Sequence, residues 1–139
     1  MDMKNMKIDN DLVNLLQQLR PFVDPMEMFD EGLDLNYPVI KDMIRQVVDI
    51  INFMPSFTYP AESPTAFLHY SLNETHFYIS SIDGVNENQR NAFGCICRRG
   101  RISQMDFISI PDIIRCGARL DLGWKPIPLN EVYLNQLID

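Results

Sequence analysis

The two histidines of the chain, His69 and His76, are where acid–base chemistry or metal binding would begin. If residues 65–72 and 75–82 form a hairpin across Asn73-Glu74, with Leu72 opposite Thr75, both imidazoles fall on one face, diagonal to each other. Ser71 and Tyr78 fall beside them. Nothing in the sequence supplies a third ligand or a carboxylate to orient the rings. A polar, aromatic sheet face exposed to solvent is therefore the preferred reading, with an acid–base or metal site as its rival. A second constellation is Cys95-Ile96-Cys97, which puts two thiols on one side of a strand, with Cys116 downstream. Joined by a histidine, these would make a four-ligand zinc site. Paired zinc cysteines usually enclose two residues on a knuckle, however, and an unpaired cysteine packs as a small hydrophobe. Buried structural thiols are expected, with no metal and no cofactor.

The remaining chemistry is in charge. The chain carries 19 acids against 12 Lys and Arg, a net charge of −7. Residues 21–40 hold Asp24, Glu27, Asp30, Glu31 and Asp34 without a single base, and residues 90–101 hold Arg90, Arg98, Arg99 and Arg101 without an acid. An acidic chain repels a phosphate backbone, so direct nucleic-acid binding is disfavoured. The acids are interleaved with Met26, Met28, Phe29 and Leu33, a composition suited to the core of a protein interface that occupies a basic groove. Arg98, Arg99 and Arg101 would crown a hairpin and grip a carboxylate or phosphate on a partner. No glycine-rich phosphate loop, His-Glu-x-x-His or Gly-x-Ser-x-Gly occurs, and an enzyme is not expected. No apolar run approaches the length of a membrane span, and Met1-Asp2-Met3-Lys4-Asn5 does not open a signal peptide. With three cysteines, an odd number, a cytoplasmic location in a host cell is expected, with no membrane partner.

The elements that must position these residues follow from periodicity. Leu12, Val13, Leu15, Leu16 and Leu19 recur at helical spacing behind Asp9, Asn10 and Asp11, until Pro21 ends the helix. Asp24-Pro25 signals a second, short helix over 25–31, closed by Gly32. The strongest helix runs from Asn36 to Met54, with Ile40, Met43, Ile44, Val47, Val48, Ile51 and Met54 in one stripe. Pro55, Pro60 and Pro64 then mark an irregular connector between a helical part (1–54) and a β-rich part (65–139) of one domain.

In the first hairpin Ala66, Leu68, Tyr70, Leu72, Phe77 and Ile79 form the core face, and Phe67, His69, Ser71, His76, Tyr78 and Ser80 the other. A second hairpin, 92–98 and 102–108, turns at Arg99-Gly100 with Arg98 opposite Arg101. It places Phe93, Cys95, Cys97, Ile102, Gln104 and Asp106 on one face, and Ala92, Gly94, Ile96, Ser103, Met105 and Phe107 on the other. Neither face is cleanly polar, so both should be partly covered. Ser109 should cap a helix begun by Pro111-Asp112 and ended by Gly117. Residues 118–124 offer one more strand, and 128–137 a closing helix with Leu129, Val132, Tyr133 and Leu137 inward.

Short stretches of the β-rich part resemble a family of small proteins encoded on plasmids, phages and integrated elements, a domain of unknown function often neighbouring antirestriction genes. They are Thr75-His76-Phe77-Tyr78, Phe93-Gly94, Asp106-Phe107-Ile108-Ser109-Ile110, and Lys125-Pro126-Ile127-Pro128-Leu129-Asn130-Glu131-Val132. The chain departs from that pattern where His76-Phe77 stands in place of an aromatic pair, and in its long helical N-terminal part. The resemblance implies a mobile-element origin and carries over no catalytic residue.

The fold expected is α+β: N-terminal helices on an antiparallel sheet of four to five strands, with short C-terminal helices. The expected function is a small acidic protein that binds a host nuclease or defence complex, as an inhibitor of anti-CRISPR or antirestriction type that occupies a basic nucleic-acid groove or a subunit interface. Asp24, Glu27, Asp30, Glu31, Asp34, Arg98, Arg99 and Arg101 would form its contact surface. The alternatives are a metal-binding or hydrolytic enzyme centred on His69, His76 and the cysteines, and a homodimeric structural subunit.

Overall fold

A computed structural model describes residues 10–23, 38–54, 64–82, 91–103 and 105–132. It is α+β, with helices on one face of an antiparallel sheet and the C-terminal segment on the other. Helix α1 (Asn10–Leu19) buries Leu12, Leu15 and Leu19, spaced three and four apart, and Asp11 favours its first turn electrostatically. A 3-10 turn over Arg20–Phe22 takes Pro21 where its missing N–H costs nothing. Helix α2 (Pro38–Phe53) buries Ile44, Val47, Val48 and Ile51. Asp11 bonds Arg45 and Gln18 bonds Asn52, 34 residues apart in both cases, so the two helices run in the same direction. The expected helix over 25–31 lies outside the described residues.

The strands are β1 (Thr65–Ala66), β2 (Leu68–Leu72), β3 (Thr75–Ile82), β4 (Asn91–Arg98), β5 (Arg101–Ile102), β6 (Asp106–Ser109), β7 (Arg119–Leu120) and β8 (Ile127–Pro128), with helix α3 (Ile110–Arg115) before β7. The main sheet has the order β5-β4-β3-β2-β7, and β6 also pairs with β4. Leu72 stands opposite Thr75 and Arg98 opposite Arg101, as the turn chemistry requires. Arg99 and Gly100 both take positive φ, 52° and 80°, which matches a primed two-residue turn.

Three local events alter the expected faces. The first arm breaks at Phe67, whose N–H bonds the Ile79 carbonyl, while β1 leaves to pair with β8. Phe67 consequently packs with the helices and Ala66 on the opposite side, the reverse of strict alternation. A bulge between Ile79 and Ser81 flips the parity in β3, so Ile82 joins the helical side. In the second hairpin Cys97 opposes Ile102, yet Phe93 opposes Phe107 and Gly94 opposes Asp106: one extra residue is absorbed between β5 and β6. Ser103 causes the break. Its hydroxyl accepts the Ile96 N–H and its own N–H donates to the Ile96 carbonyl, so side chain and backbone share the ladder. Met105 thereby reaches the sulfur-rich side, and Phe107 meets Phe93 edge-on at 5.4 Å. The divided arm raises the main sheet to six strands.

The larger core joins α1, α2 and α3 to Leu68, Tyr70, Phe77, Ile79, Ala92 and Ile108. Tyr70 is fully buried, and its hydroxyl donates to the Phe22 carbonyl at 2.6 Å, tying the sheet to the end of α1. Burial raises its phenol far above the ordinary tyrosine range, so it stays a neutral donor. The smaller cluster, on the other face, joins Ala66, Tyr78, Cys95 and Cys97 to Leu129 and Val132, with Trp124 and Ile127 packed against it. Ser109 caps α3 by accepting the Asp112 N–H, and Gly117 ends it at φ 104°.

Candidate functional site

Register decides which side chains meet on the second face. Ser71 opposes His76 across β2–β3, Arg119 opposes Ser71 across β7–β2, and Cys97 opposes His76 across β3–β4. Arg119, Ser71, His76 and Cys97 therefore form one transverse row. The next row is Asp121, His69, Tyr78 and Cys95: His69 opposes Tyr78, Tyr78 opposes Cys95, and the Asp121 N–H donates to the His69 carbonyl.

Between the rows runs a chain of hydrogen bonds. Asp121 Oδ2 lies 3.0 Å from His69 Nδ1, and His69 Nε2 lies 2.8 Å from His76 Nδ1. The carboxylate that the histidines lacked in the sequence is thus Asp121, 52 residues from His69 and delivered by the strand after α3. No local motif marks it; the only sequence signal was the expected strand over 118–124, which contains it, whereas the observed β7 ends at Leu120 beside it. Asp121 also accepts the Gly123 N–H through Oδ1, which fixes the carboxylate. His69 is clamped by rings. Tyr78 stacks on it at 5.0 Å, His76 at 5.0 Å, and Trp124 leans against it at 4.9 Å. The Trp124 indole N–H donates to the Ala66 carbonyl at 3.0 Å, anchoring that wall.

The chain fixes the tautomers. An ionised Asp121 can only accept, so His69 holds its proton on Nδ1. Burial is the largest influence on the His69 imidazole and holds it below the ordinary histidine value. The Asp121 hydrogen bond and charge pull upward against this, and His76 adds a further lowering. A neutral His69 has an unprotonated Nε2 that accepts from His76 Nδ1–H, leaving His76 Nε2 as the lone-pair atom of the relay. This is an orienting acid, a relay ring and a terminal ring able to take a proton.

The lowered His69 value makes stability pH-dependent. The unfolded chain binds more protons than the folded one, so this contribution is complete above about 6.5, the ordinary value, and is lost as pH falls through the folded value. Urea midpoints should decline as pH drops below that point, and the decline should be shallower in His69→Phe. Parallel profiles for the two proteins would refute it.

The other candidate residues are dispersed. Cys95 and Cys97 lie on one side of β4, which register makes the histidine face, and both are buried, whereas Cys116 is exposed at the end of α3, which packs on the opposite face. The structure does not bring the three thiols together. Among the described residues no group of three or more His, Cys, Asp or Glu is arranged to hold a metal ion. Arg98, Arg99 and Arg101 are exposed at the hairpin tip, and Arg99 bonds Glu74 of the neighbouring turn at 2.7 Å, so the tip is partly neutralised. Asp24, Glu27, Asp30, Glu31 and Asp34 lie outside the described residues. No helix among the described residues is long and apolar enough to cross a membrane. Compared with family models, curated proteins and solved structures, the chain matches none.

Proposed function

We propose that this chain is a small acidic protein-binding protein of mobile-element origin, an inhibitor of a host defence nuclease. It acts by laying the Asp24–Asp34 surface into a basic groove that otherwise receives nucleic acid. The observation that carries this reading is the segregation of charge: five acids and no base over residues 21–40, in a chain of net charge −7. The same run leads directly into α2, whose first turn leaves Val39 63% exposed. Carboxylates flanked by an exposed apolar side chain suit a basic partner whose groove has apolar walls, with charge steering the encounter and the apolar contact holding it.

Reversing Asp30, Glu31 and Asp34 to Lys should weaken partner binding at least about tenfold, because each change replaces an attraction with a repulsion. A tagged pull-down from host lysate, with circular dichroism to confirm an unchanged fold, reads this directly. Recovery of one nuclease or defence subunit by the wild type alone supports the mechanism. Equal recovery of that partner by the reversed protein removes it.

A further inference from the structure

We propose that Arg119, Ser71 and His76 form a binding site for a tetrahedral oxyanion of the phosphate class, and that anion binding is coupled to proton uptake at His76 Nε2. The site is independent of the acidic surface. Three adjacent strands place these residues directly opposite one another on one face. Such neighbours have Cβ atoms about 5 Å apart, so a guanidinium, a hydroxyl and an imidazole can converge on one small anion. Exposure grades along the row: Arg119 is exposed, Ser71 and His76 are half-buried, and Cys97 is buried. The row therefore opens at the arginine end and is closed at the other by the cluster around Cys97, Leu129 and Val132. Arginine has five donors and can serve an anion while engaged elsewhere.

The relay makes the site respond to protons. His76 Nδ1–H is committed to His69, so at neutral charge its Nε2 presents a lone pair, which repels an oxyanion. When Nε2 takes a proton it becomes a donor, and the positive charge is balanced through His69 by Asp121. Asp121 itself does not face the anion. Two hydrogen bonds, of 3.0 and 2.8 Å, and two imidazole rings stand between its carboxylate and His76 Nε2. Tyr78 stacks against both rings, 5.0 Å from His69 and 6.2 Å from His76, and the buried Cys97 flanks His76.

Sulfate is the decisive probe, because its charge is constant through the histidine range while its shape matches phosphate. Titration of the full chain, followed by the nitrogen resonances of the His76 ring and the amide of Ser71, should saturate at millimolar sulfate. Affinity should be higher at about pH 6 than at about pH 8, because the bound anion holds a proton on Nε2. Calorimetry in buffers of different ionisation enthalpy should show net proton uptake. His76→Gln should remove the pH dependence, and Arg119→Gln should weaken binding at both pH values. Asp121→Asn should reduce the proton uptake while Arg119-dependent binding persists, which marks Asp121 as a positioning residue. Inorganic phosphate and phenyl phosphate then separate free phosphate from a monoester: tighter phenyl phosphate binding assigns a monoester, and equal binding assigns the free anion. Sulfate affinity equal at the two pH values, or resonance changes matched by chloride at the same ionic strength, would overturn the site.

Discussion

Gly94→Ala is expected to cost about 3 kcal/mol or more, the largest effect of an added methyl group among the described glycines. A Cβ at this position would stand 1.9 Å from the Tyr78 carbonyl oxygen and 2.9 Å from its carbon. Both are backbone atoms of the neighbouring strand, so no rotamer change relieves the overlap. The central strand β3 and its partner β4 must separate, at the pairing where Gly94 opposes Ile79. That spot lies between the buried Tyr78 and Ile79, which belong to the two different clusters, so a displacement disturbs both layers at once. Chemical denaturation should show a lower midpoint, with an insoluble product if the loss exceeds the total stability. A midpoint within error of the wild type would mean that β3 and β4 are farther apart than described. Gly100→Ala is the natural control: its φ of 80° imposes strain, but no atom lies within 4 Å of the added carbon, so its cost should be smaller.

Trp124→Ala should cost about 3 kcal/mol and should also disturb the histidine relay, which an isolated packing defect would not. Trp124 closes the second face. Its ring lies against His69 and Tyr78, at 4.9 and 5.7 Å, and its N–H satisfies the Ala66 carbonyl next to the break in the first arm. Removing it takes that hydrogen bond from the carbonyl and opens the apolar side of His69 to water. Since burial is the main cause of the low His69 value, hydration should raise that value toward the ordinary one. The measurement is a paired one, urea unfolding for stability and a pH titration of the His69 ring for its proton affinity. Trp124→Phe separates the two contributions, keeping much of the ring contact and losing the hydrogen bond. If stability falls while His69 titrates as before, the wall supports the fold without governing the relay.

Much of this architecture was legible from residue types, because its determinants are local. The α1 and α2 stripes, the paired positions next to both turns, the Ser109 cap and the Gly117 terminus each depend on residues within a few positions of one another. Both hairpins turn where the sequence expects, since Arg99-Gly100 and Asn73-Glu74 are flanked by arms that alternate. The same local reasoning placed His69, His76, Ser71 and Tyr78 on one face of the first hairpin, and Cys95 and Cys97 on one face of the second; that the two faces are the same side of the sheet came from the β3–β4 register.

It failed where the pairing departed from strict alternation. Strict alternation assigned Phe67 and Ala66 to the wrong sides, because β8 draws β1 out of the first arm and changes its parity. Likewise Ser103 competes with the backbone for Ile96, which shifts the pairing of β6 by one residue and lifts Phe107 to the side of Phe93. Both errors have one cause: a strand's faces depend on register, and a single inserted residue inverts every position beyond it.

The candidate site divides along the same line. By itself the sequence determined that two imidazoles share a sheet face, that the chain is acidic, and that acid and base are segregated along it. Only the tertiary structure supplied Asp121 to His69, set Arg119 and Ser71 in line with His76, and sent Cys116 away from Cys95 and Cys97. Those relations require β7 to return beside β2 after α3, and nothing in the spacing of the residues encodes which strand edge it will choose. The choice is made by burial, since Tyr70 and Leu120 must face the helices together, and that places Arg119 and Asp121 on the histidine side.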